Sequence, residues 1–171
     1  MSASVRCSNG EGVVHCLTLG QKAPETTSAK LIKGGVAVDD RGEVGFVNDF
    51  DFTGVKRFYT VCNHQAKFIR AWHGHRHEAK YATVVSGSML VCCVRIDDWD
   101  DPSPNLPIQR FVLSAKTPAV LYIPAGYANG FMSLSDDAKI VFFSTSTLQE
   151  SLNDDIRFPA RKWDPWTIEE R

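Results

Sequence analysis

The chain has 171 residues, of which 43% are hydrophobic and 23% charged, a composition that suits one globular domain and excludes disordered or fibrous classes. A formal net charge of −1 offers no basic surface for nucleic acid, although a few local Arg or Lys side chains would suffice for a nucleotide's phosphates. Five cysteines without a CxxC pair, no signal-peptide pattern and no apolar segment of bilayer-spanning length predict a cytoplasmic protein with reduced thiols and no membrane association.

The N-terminal part carries few structural signals. We expect residues 1–30 to form an arm or linker, because the stretch 21–30 is polar and contains Pro24, and residues 31–171 to form a single domain. From residue 31 onward, ten short segments rich in Val, Ile, Phe and Tyr are separated by turn residues and are predicted as strands, at 31–38, 43–47, 54–61, 67–73, 80–85, 88–96, 109–114, 119–124, 129–134 and 139–146.

Between these strands the sequence predicts almost no helix. Only residues 148–153 suggest a short helical turn, and the acidic, proline-rich segment 97–107 is predicted to be a surface loop. Closely spaced short strands without long helical segments are typical of an antiparallel sandwich or barrel. The predicted fold class is therefore all-β.

The most informative motif is a pair of histidines, His73 and His75, which share one face of a predicted strand. Such a pair is the core of the first metal-binding motif of cupin barrels, the double-stranded β-helix or jelly-roll fold, where a later Glu and a second-motif His complete the site. Here Lys80 occupies the Glu position, and Asn129 ends the second motif. A cation and an amide do not suit a divalent metal, so we predict neither a metal nor another cofactor; Glu78 is one residue short of the usual spacing.

A metal-free histidine pair suits proton transfer. A neutral imidazole is a well-matched general base near pH 7, and an enolate formed beside a ketone needs a nearby cation or hydrogen-bond donor. His73 or His75 together with Lys80 would supply both. The alternative is that the histidines only pack inside the barrel, but two on one face of a recognisable motif favour a catalytic role. His64 and His77 are predicted to be solvated turn residues.

Two blocks of sequence resemble nucleotide-sugar enzymes. The block 55–59, followed by Arg70-x-x-His73-x-His75, is similar to a motif of dTDP-4-keto-6-deoxyglucose 3,4-ketoisomerases, as are the triplets 40–42 and 155–157. Segment 121–131 resembles the IPxGFAHGF motif of dTDP-4-dehydrorhamnose 3,5-epimerases, which also place a lysine at the position of Lys80.

The resemblance covers about residues 37–160 and implies a function. It implies an isomerase that removes a proton next to the ketone of a nucleotide-linked, dTDP-type 4-keto-6-deoxy sugar, for deoxysugar biosynthesis. The outcome would be 3,4-ketoisomerisation or C3/C5 epimerisation. The resemblance also implies a homodimer, for which the arm 1–30 is a candidate exchanged element.

The sequence departs from the epimerase pattern at two points. That pattern has a catalytic Tyr where this chain has Phe142, and it holds an Asp against the catalytic His from a segment that we place beyond residue 171. Without these groups the second protonation step lacks its acid. The choice between ketoisomerase and epimerase therefore stays open.

The remaining site residues are assigned as follows. Arg70 is expected to bind phosphate, with a structural ion pair as the alternative, since a guanidinium suits bidentate phosphate binding. Arg57 and Tyr59 share a strand face, where Arg57 would bind substrate and Tyr59 would donate a proton or form a stacking wall, unless it merely packs. Asn129 is expected to line the pocket and bind the keto group.

The C-terminal part of the chain has expected structural roles. Asp155 and Arg157 are expected to pair near the barrel end, and Trp163 and Trp166 to seal the barrel or a subunit contact. For the whole chain, two alternative functions are a non-catalytic cupin that binds a sugar nucleotide and, disfavoured by Lys80 and Asn129, a metal-dependent cupin dioxygenase.

Overall fold

The computed structural model describes residues 28–169, and in that range the regular secondary structure is almost entirely strand. The twelve strands are β1 (Lys30–Lys33), β2 (Gly35–Asp39), β3 (Gly42–Phe46), β4 (Arg57–Cys62), β5 (Ile69–His75), β6 (Lys80–Ser86), β7 (Ser88–Arg95), β8 (Ile108–Ser114), β9 (Ala119–Ile123), β10 (Tyr127–Ser133), β11 (Lys139–Ser144) and β12 (Ile156–Arg157). The helix, α1 (Leu148–Asn153), lies where the helical turn was predicted and begins with a capping box between Thr147 and Glu150.

The strands form two five-stranded antiparallel sheets, ordered β1-β9-β6-β11-β4 and β12-β5-β10-β7-β8, while β2 and β3 pair only with each other. Buried side chains from both large sheets meet in one cluster, so the sheets pack face to face. The all-β prediction is confirmed. The predicted strand 31–38 is divided into β1 and β2, and β12 was not predicted because two residues carry too little pattern.

Strand β7 shows that the second sheet is covered on both faces. Met89, Val91 and Cys93 belong to the cluster between the sheets, whereas Leu90 and Cys92 belong to a second cluster on the outer face. Both cysteines are fully buried, and burial raises the pKa of each thiol. Their environment fits the packing role expected from the sequence.

The outer cluster is covered by the C-terminal segment. The rings of Trp163 and Trp166 lie 5.5 and 5.2 Å from that of Trp72, and each indole N–H donates to a backbone carbonyl, of Ser103 and Ala160 respectively. The two tryptophans therefore lie on the outside of the second sheet instead of sealing the barrel. Apolar residues on the outer face of β7 and β10 require that cover.

A bulge between β10 and β5 determines which side chains point inward. Asn129 is opposite His73, but Phe131 is opposite Arg70, so the register shifts between them. Directly opposed residues share a face, and Phe131 lies in the inner cluster. Arg70 and His73 consequently share the inner face although they are three residues apart, while Trp72 points outward.

The predicted arm lies mostly outside the described residues, which begin at Ser28. Ala29, next to the expected boundary, is buried in the inner cluster. The division at residue 30 stays a prediction. Within 28–169, none of the helical segments has the length and apolar character needed to cross a bilayer.

We expect Trp163→Ala to lower the free energy of unfolding by about 3–5 kcal/mol, the usual range for truncating a buried Trp. The side chain is 2% exposed and covers the outer face of the second sheet. Urea denaturation would measure the change, with Leu152→Ala as control because Leu152 is 62% exposed. A loss below about 1 kcal/mol would show that the C-terminal layer is not part of the folded core.

Candidate active site

One end of the barrel interior is polar. Lys80 begins β6 and His75 ends β5, and their side chains meet at this end. The register places the polar inward residues of neighbouring strands in the same rows, namely Arg57, Ser144 and Lys80 in the first sheet and His75, Tyr127 and Arg95 in the second. The next rows hold Tyr59 and Phe142 in one sheet and His73, Asn129 and Cys93 in the other. Beyond them the interior is apolar.

A buried carboxylate, that of Glu78, lies at the centre of this polar end. Its side chain has no exposed area, and its Oε1 accepts a hydrogen bond of 2.7 Å from Ser144 Oγ. Arg57 Nη2 and Lys80 Nζ lie 3.5 and 3.8 Å from Oε1, and His75 Nδ1 lies 3.2 Å from Oε2. A carboxylate excluded from water requires such compensation.

Lys80 and His75 form the closest contact of the site, with 2.8 Å between Nζ and Nε2. The lysine is only 6% exposed, so its side chain lies inside the barrel and does not extend into solvent. Burial lowers the pKa of Lys80, and the carboxylates of Glu78 and Asp155 oppose that shift. Burial and the ammonium of Lys80 lower the pKa of His75, so its imidazole is neutral near pH 7.

His73 has an acidic partner from the C-terminal part of the chain. The pairing of β12 with β5 puts Arg157 opposite His73, and Asp155 Oδ1 lies 3.8 Å from His73 Nδ1. Arg157 binds Asp155 through contacts of 2.6–2.8 Å and lies 3.4 Å from His73 Nε2. The expectation that this chain lacks a carboxylate against the histidine is therefore wrong, because strand pairing brings Asp155 back to β5.

The pKa of His73 is lowered to about 4, first by burial and then by the charges of Arg157 and Lys80, while Asp155 acts in the opposite direction. The ring is therefore neutral across the physiological range. The His73 side chain is 23% exposed and so accessible from solvent, whereas only 4% of the His75 side chain is exposed.

Asp154, beside Asp155 in sequence, has a different task. Its carboxylate accepts hydrogen bonds of 2.9, 2.8 and 3.1 Å from the backbone N–H groups of Arg76, His77 and Glu78. Burial raises its pKa, but these three donors outweigh burial and the pKa is lowered overall. Asp154 thus fixes the turn that carries Glu78 into the barrel.

Tyr59 lies beside the position where the epimerase pattern has its Tyr. It is paired with Phe142, and their rings stack at 5.3 Å with an interplanar angle of 20°. The guanidinium of Arg57 lies 4.9 Å from the Tyr59 ring centroid. Burial, followed by the charge of Glu78, raises the pKa of Tyr59 to about 12, so its hydroxyl keeps the proton that it could donate.

The three predicted substrate-binding residues differ in how far they are engaged. Arg70 is exposed on the inner face of β5. Arg57 donates to the carbonyl of Ser146 and to Ser151 Oγ, at 3.2 and 2.8 Å. Asn129 Nδ2 donates at 3.1 Å to the His73 carbonyl, which joins β10 to β5 beside the bulge in β5. Their roles towards a ligand stay predictions.

The cupin metal position does not fit a divalent cation in this chain. The ammonium of Lys80 lies against His75 Nε2, the nitrogen that a metal would need, and the amide N–H of Asn129 is directed to a backbone carbonyl. Among residues 28–169 there is also no group of three or more His, Cys, Asp or Glu side chains placed to hold a metal.

Sequence reasoning missed Glu78, Asp154 and Asp155 as members of the site. The sequence presents Glu78 only as a possible metal ligand, and Asp155 only as a structural partner of Arg157. The sequence did contain a signal, since the acidic pair Asp154 and Asp155 follows the only predicted helix and precedes an apolar residue and a basic residue, Ile156 and Arg157. The sequence does not show that these last two residues form an edge strand.

Comparison with known proteins assigns the family. A family model for dTDP-4-dehydrorhamnose 3,5-epimerase matches residues 26–164. The chain belongs to this family. A search of curated proteins gave no match. The family predicted from the two sequence blocks is confirmed.

Solved structures share the fold at low sequence identity. An RmlC epimerase from Mycobacterium tuberculosis is 23% identical with a TM-score of 0.60, over 72% of this chain and 66% of that one. The Bacillus anthracis dTDP-4-dehydrorhamnose 3,5-epimerase is 19% identical with a TM-score of 0.67, over 83% and 86%. The 3,4-ketoisomerase QdtA from Thermoanaerobacterium thermosaccharolyticum is 18% identical with a TM-score of 0.58, over 77% and 88%. This chain thus spans just under two thirds of the mycobacterial protein, and the cupin-type fold is confirmed.

The electrostatics of His73 can be tested by NMR. We expect its ring to titrate near pH 4 and the Arg157→Gln variant to titrate at higher pH, because a nearby positive charge that disfavours the imidazolium has been removed. Arg161→Gln is the matched control, since Arg161 pairs with Asp164 on the surface. An unchanged or lower pKa of His73 in Arg157→Gln would contradict this description of the site.

Proposed function

We propose that this protein isomerises a dTDP-linked 4-keto-6-deoxy sugar by removing the proton at C3, with His73 as the general base. The observation that carries the proposal is the arrangement around His73. Asp155 lies on the Nδ1 side of His73, and the His73 side chain is partly exposed. The buried Lys80 contacts the neighbouring His75. Base, orienting carboxylate and cation are the groups that enolisation beside a ketone requires.

The proposed steps use residues of this chain alone. His73 Nε2, the nitrogen away from Asp155, accepts the C3 proton, and the C–H electron pair forms the C3–C4 double bond of an enolate. Lys80 stabilises the negative charge that develops on the C4 oxygen. Tyr59, whose pKa of about 12 keeps it protonated, supplies a proton when the enolate collapses. Proton return to O4, loss of the O3 proton and protonation of C4 by the electron pair of the double bond give a 3-keto sugar, whereas return of a proton to C3 on the opposite face gives an epimer.

The nucleotide part of the ligand is assigned to the open arginine. Arg70 is exposed, while the guanidinium of Arg57 is already bound by Ser146 and Ser151. Arg70 is therefore the better phosphate ligand of the two. The structure of QdtA was solved with TDP-4-keto-6-deoxyglucose, which supports the choice of substrate class.

Incubation with dTDP-4-keto-6-deoxyglucose in D₂O, followed by NMR, tests this function. We expect deuterium at C3 and a rate about 10²-fold lower in His73→Asn, the scale typical of a lost general base. His64→Asn is the matched control because His64 is exposed in a turn. A bound sugar without any exchange would favour the non-catalytic alternative. Exchange in His73→Asn at the wild-type rate would remove His73 from the mechanism.

We also propose that the protein is a cytoplasmic homodimer. The hairpin β2–β3 pairs with neither large sheet among the described residues, and Val38 and Val44 on it are 75% and 65% exposed. An isolated two-stranded hairpin is marginally stable in water, and unpaired strand edges favour association. A second copy of the chain offers the same unpaired strand edges, so the two copies can associate symmetrically.

Light scattering tests the dimer. We expect about twice the chain mass of 19.0 kDa for the wild type. The double variant Val38→Lys/Val44→Lys is expected to be a monomer, because the two valines lie on opposite faces of the hairpin and a charge on each face keeps either one out of an apolar interface. Leu152→Lys, which changes an exposed residue of α1, is the control. A wild-type monomer, or a dimer that survives both lysines, would exclude the hairpin as the interface.

A further inference from the structure

The buried carboxylate of Glu78 touches the His75–Lys80 pair but takes no part in the proposed proton transfer. Four buried side-chain atoms in the described part of the chain have no aligned hydrogen-bond partner, and two of them are Glu78 Oε2 and His75 Nδ1. These two face each other at 3.2 Å. A small rotation of either group would convert this contact into a charge-assisted hydrogen bond.

The contacts of Lys80 and Glu78 favour the same position for the proton of His75. A protonated lysine has three donor hydrogens and no acceptor, so the 2.8 Å contact requires that Lys80 donates to the lone pair of Nε2. The single proton of a neutral imidazole must then be on Nδ1, the nitrogen that faces Glu78 Oε2. Carboxylate, imidazole and ammonium form one chain in which each donor meets an acceptor.

We infer that Glu78 is a positioning residue that holds His75 in its Nδ1–H tautomer and supplies the negative charge that keeps Lys80 protonated inside the barrel. The second part of the inference bears on catalysis and rests on the proposed function. A protonated Lys80 can stabilise an enolate oxygen, whereas a neutral amine offers only a weak donor.

The charges that surround the pair come from several elements. Arg57 on β4 and Arg157 on β12 both disfavour the protonated form of Lys80, as does burial. Against them act Glu78 and Asp155, and Glu78 is the larger of the two contributions. Asp154 lies 4.0 Å from His75 Nδ1 but is occupied by three backbone donors. Glu78 is thus the main support of the positive charge.

A purely structural role for Glu78 makes a different prediction. The hydrogen bond from Ser144 Oγ joins Glu78 to β11, and a glutamine side chain has the same shape and can still accept it. If Glu78 only held this turn in place, Glu78→Gln would leave the protonation of His75 and Lys80 unchanged.

The first experiment needs no substrate. The ¹⁵N chemical shifts of His75, recorded on wild-type protein at pH 7, are expected to show a single Nδ1–H tautomer, and those of Glu78→Gln a mixture of both tautomers. Glu169→Gln, an exposed Glu near the C-terminus, is the matched control and should resemble the wild type. An unchanged Nδ1–H tautomer in Glu78→Gln overturns the inference, whatever reaction the enzyme catalyses.

The second experiment measures the consequence for the reaction. For Glu78→Gln we expect the high-pH limb of the kcat profile for C3 exchange to move to lower pH, with kcat at pH 8 lower by about 10-fold and KM changed by less than about 3-fold. A structural defect would instead lower kcat evenly across pH, and that result would contradict the role assigned to the charge.

A second variant keeps the inference testable if Glu78→Gln does not fold. Lys80→Met removes the donor at Nε2 but leaves Glu78 beside Nδ1. If Glu78 directs the tautomer, the proton of His75 remains on Nδ1 in this variant. Transfer of the proton to Nε2 would show that Lys80 alone had fixed it, and the inference would fail.

Discussion

The burial of one carboxylate organises the polar end of this barrel. Glu78 has no contact with water, and a buried ion that loses its partner typically costs a protein about 3–5 kcal/mol. The groups that compensate it, Arg57, Lys80 and His75, come from three different strands. Satisfying Glu78 therefore aligns β4, β5 and β6 at the same end of the two sheets. The same contacts stabilise the fold and arrange the site, so a substitution that removes one of these contacts alters both.

The acidic doublet after α1 connects the outer part of the chain to this network. Asp154 closes the turn between β5 and β6 by accepting three backbone N–H groups, and that turn delivers Glu78. The next residue, Asp155, faces His73 because β12 pairs with β5 directly afterwards. Each of these adjacent carboxylates thus acts on one histidine. Asp155 contacts His73 directly, whereas Asp154 acts on His75 indirectly by holding the turn that carries Glu78. The C-terminal strand, although only two residues long, completes the site.

The sequence was sufficient for the parts of the structure that depend on local pattern. Alternating apolar residues predicted the strands, and the HxH spacing predicted that His73 and His75 share a face, as the structure has them. Contacts made over long separations could not be obtained in this way. Nothing local to Asp155 indicates that it returns to His73, 82 positions earlier, and nothing local to Glu78 indicates that Ser144 hydrogen-bonds it. Pairing of short edge strands depends on the whole fold, which a single sequence without its relatives does not display.

The two histidines share a face but not an environment, and this difference supports the role proposed for His73. His75 has one nitrogen against Lys80 and the other against Glu78, so neither is available to a ligand. The His73 side chain is partly exposed, yet a pKa of about 4 makes it a weak base in the free protein. Part of that depression comes from the charge of Arg157. An anionic ligand that draws Arg157 away from the ring, or whose own charge lies near it, raises the pKa of His73 towards neutrality. On the proposed function, the diphosphate of the substrate would thus strengthen the base at the moment when the sugar is bound.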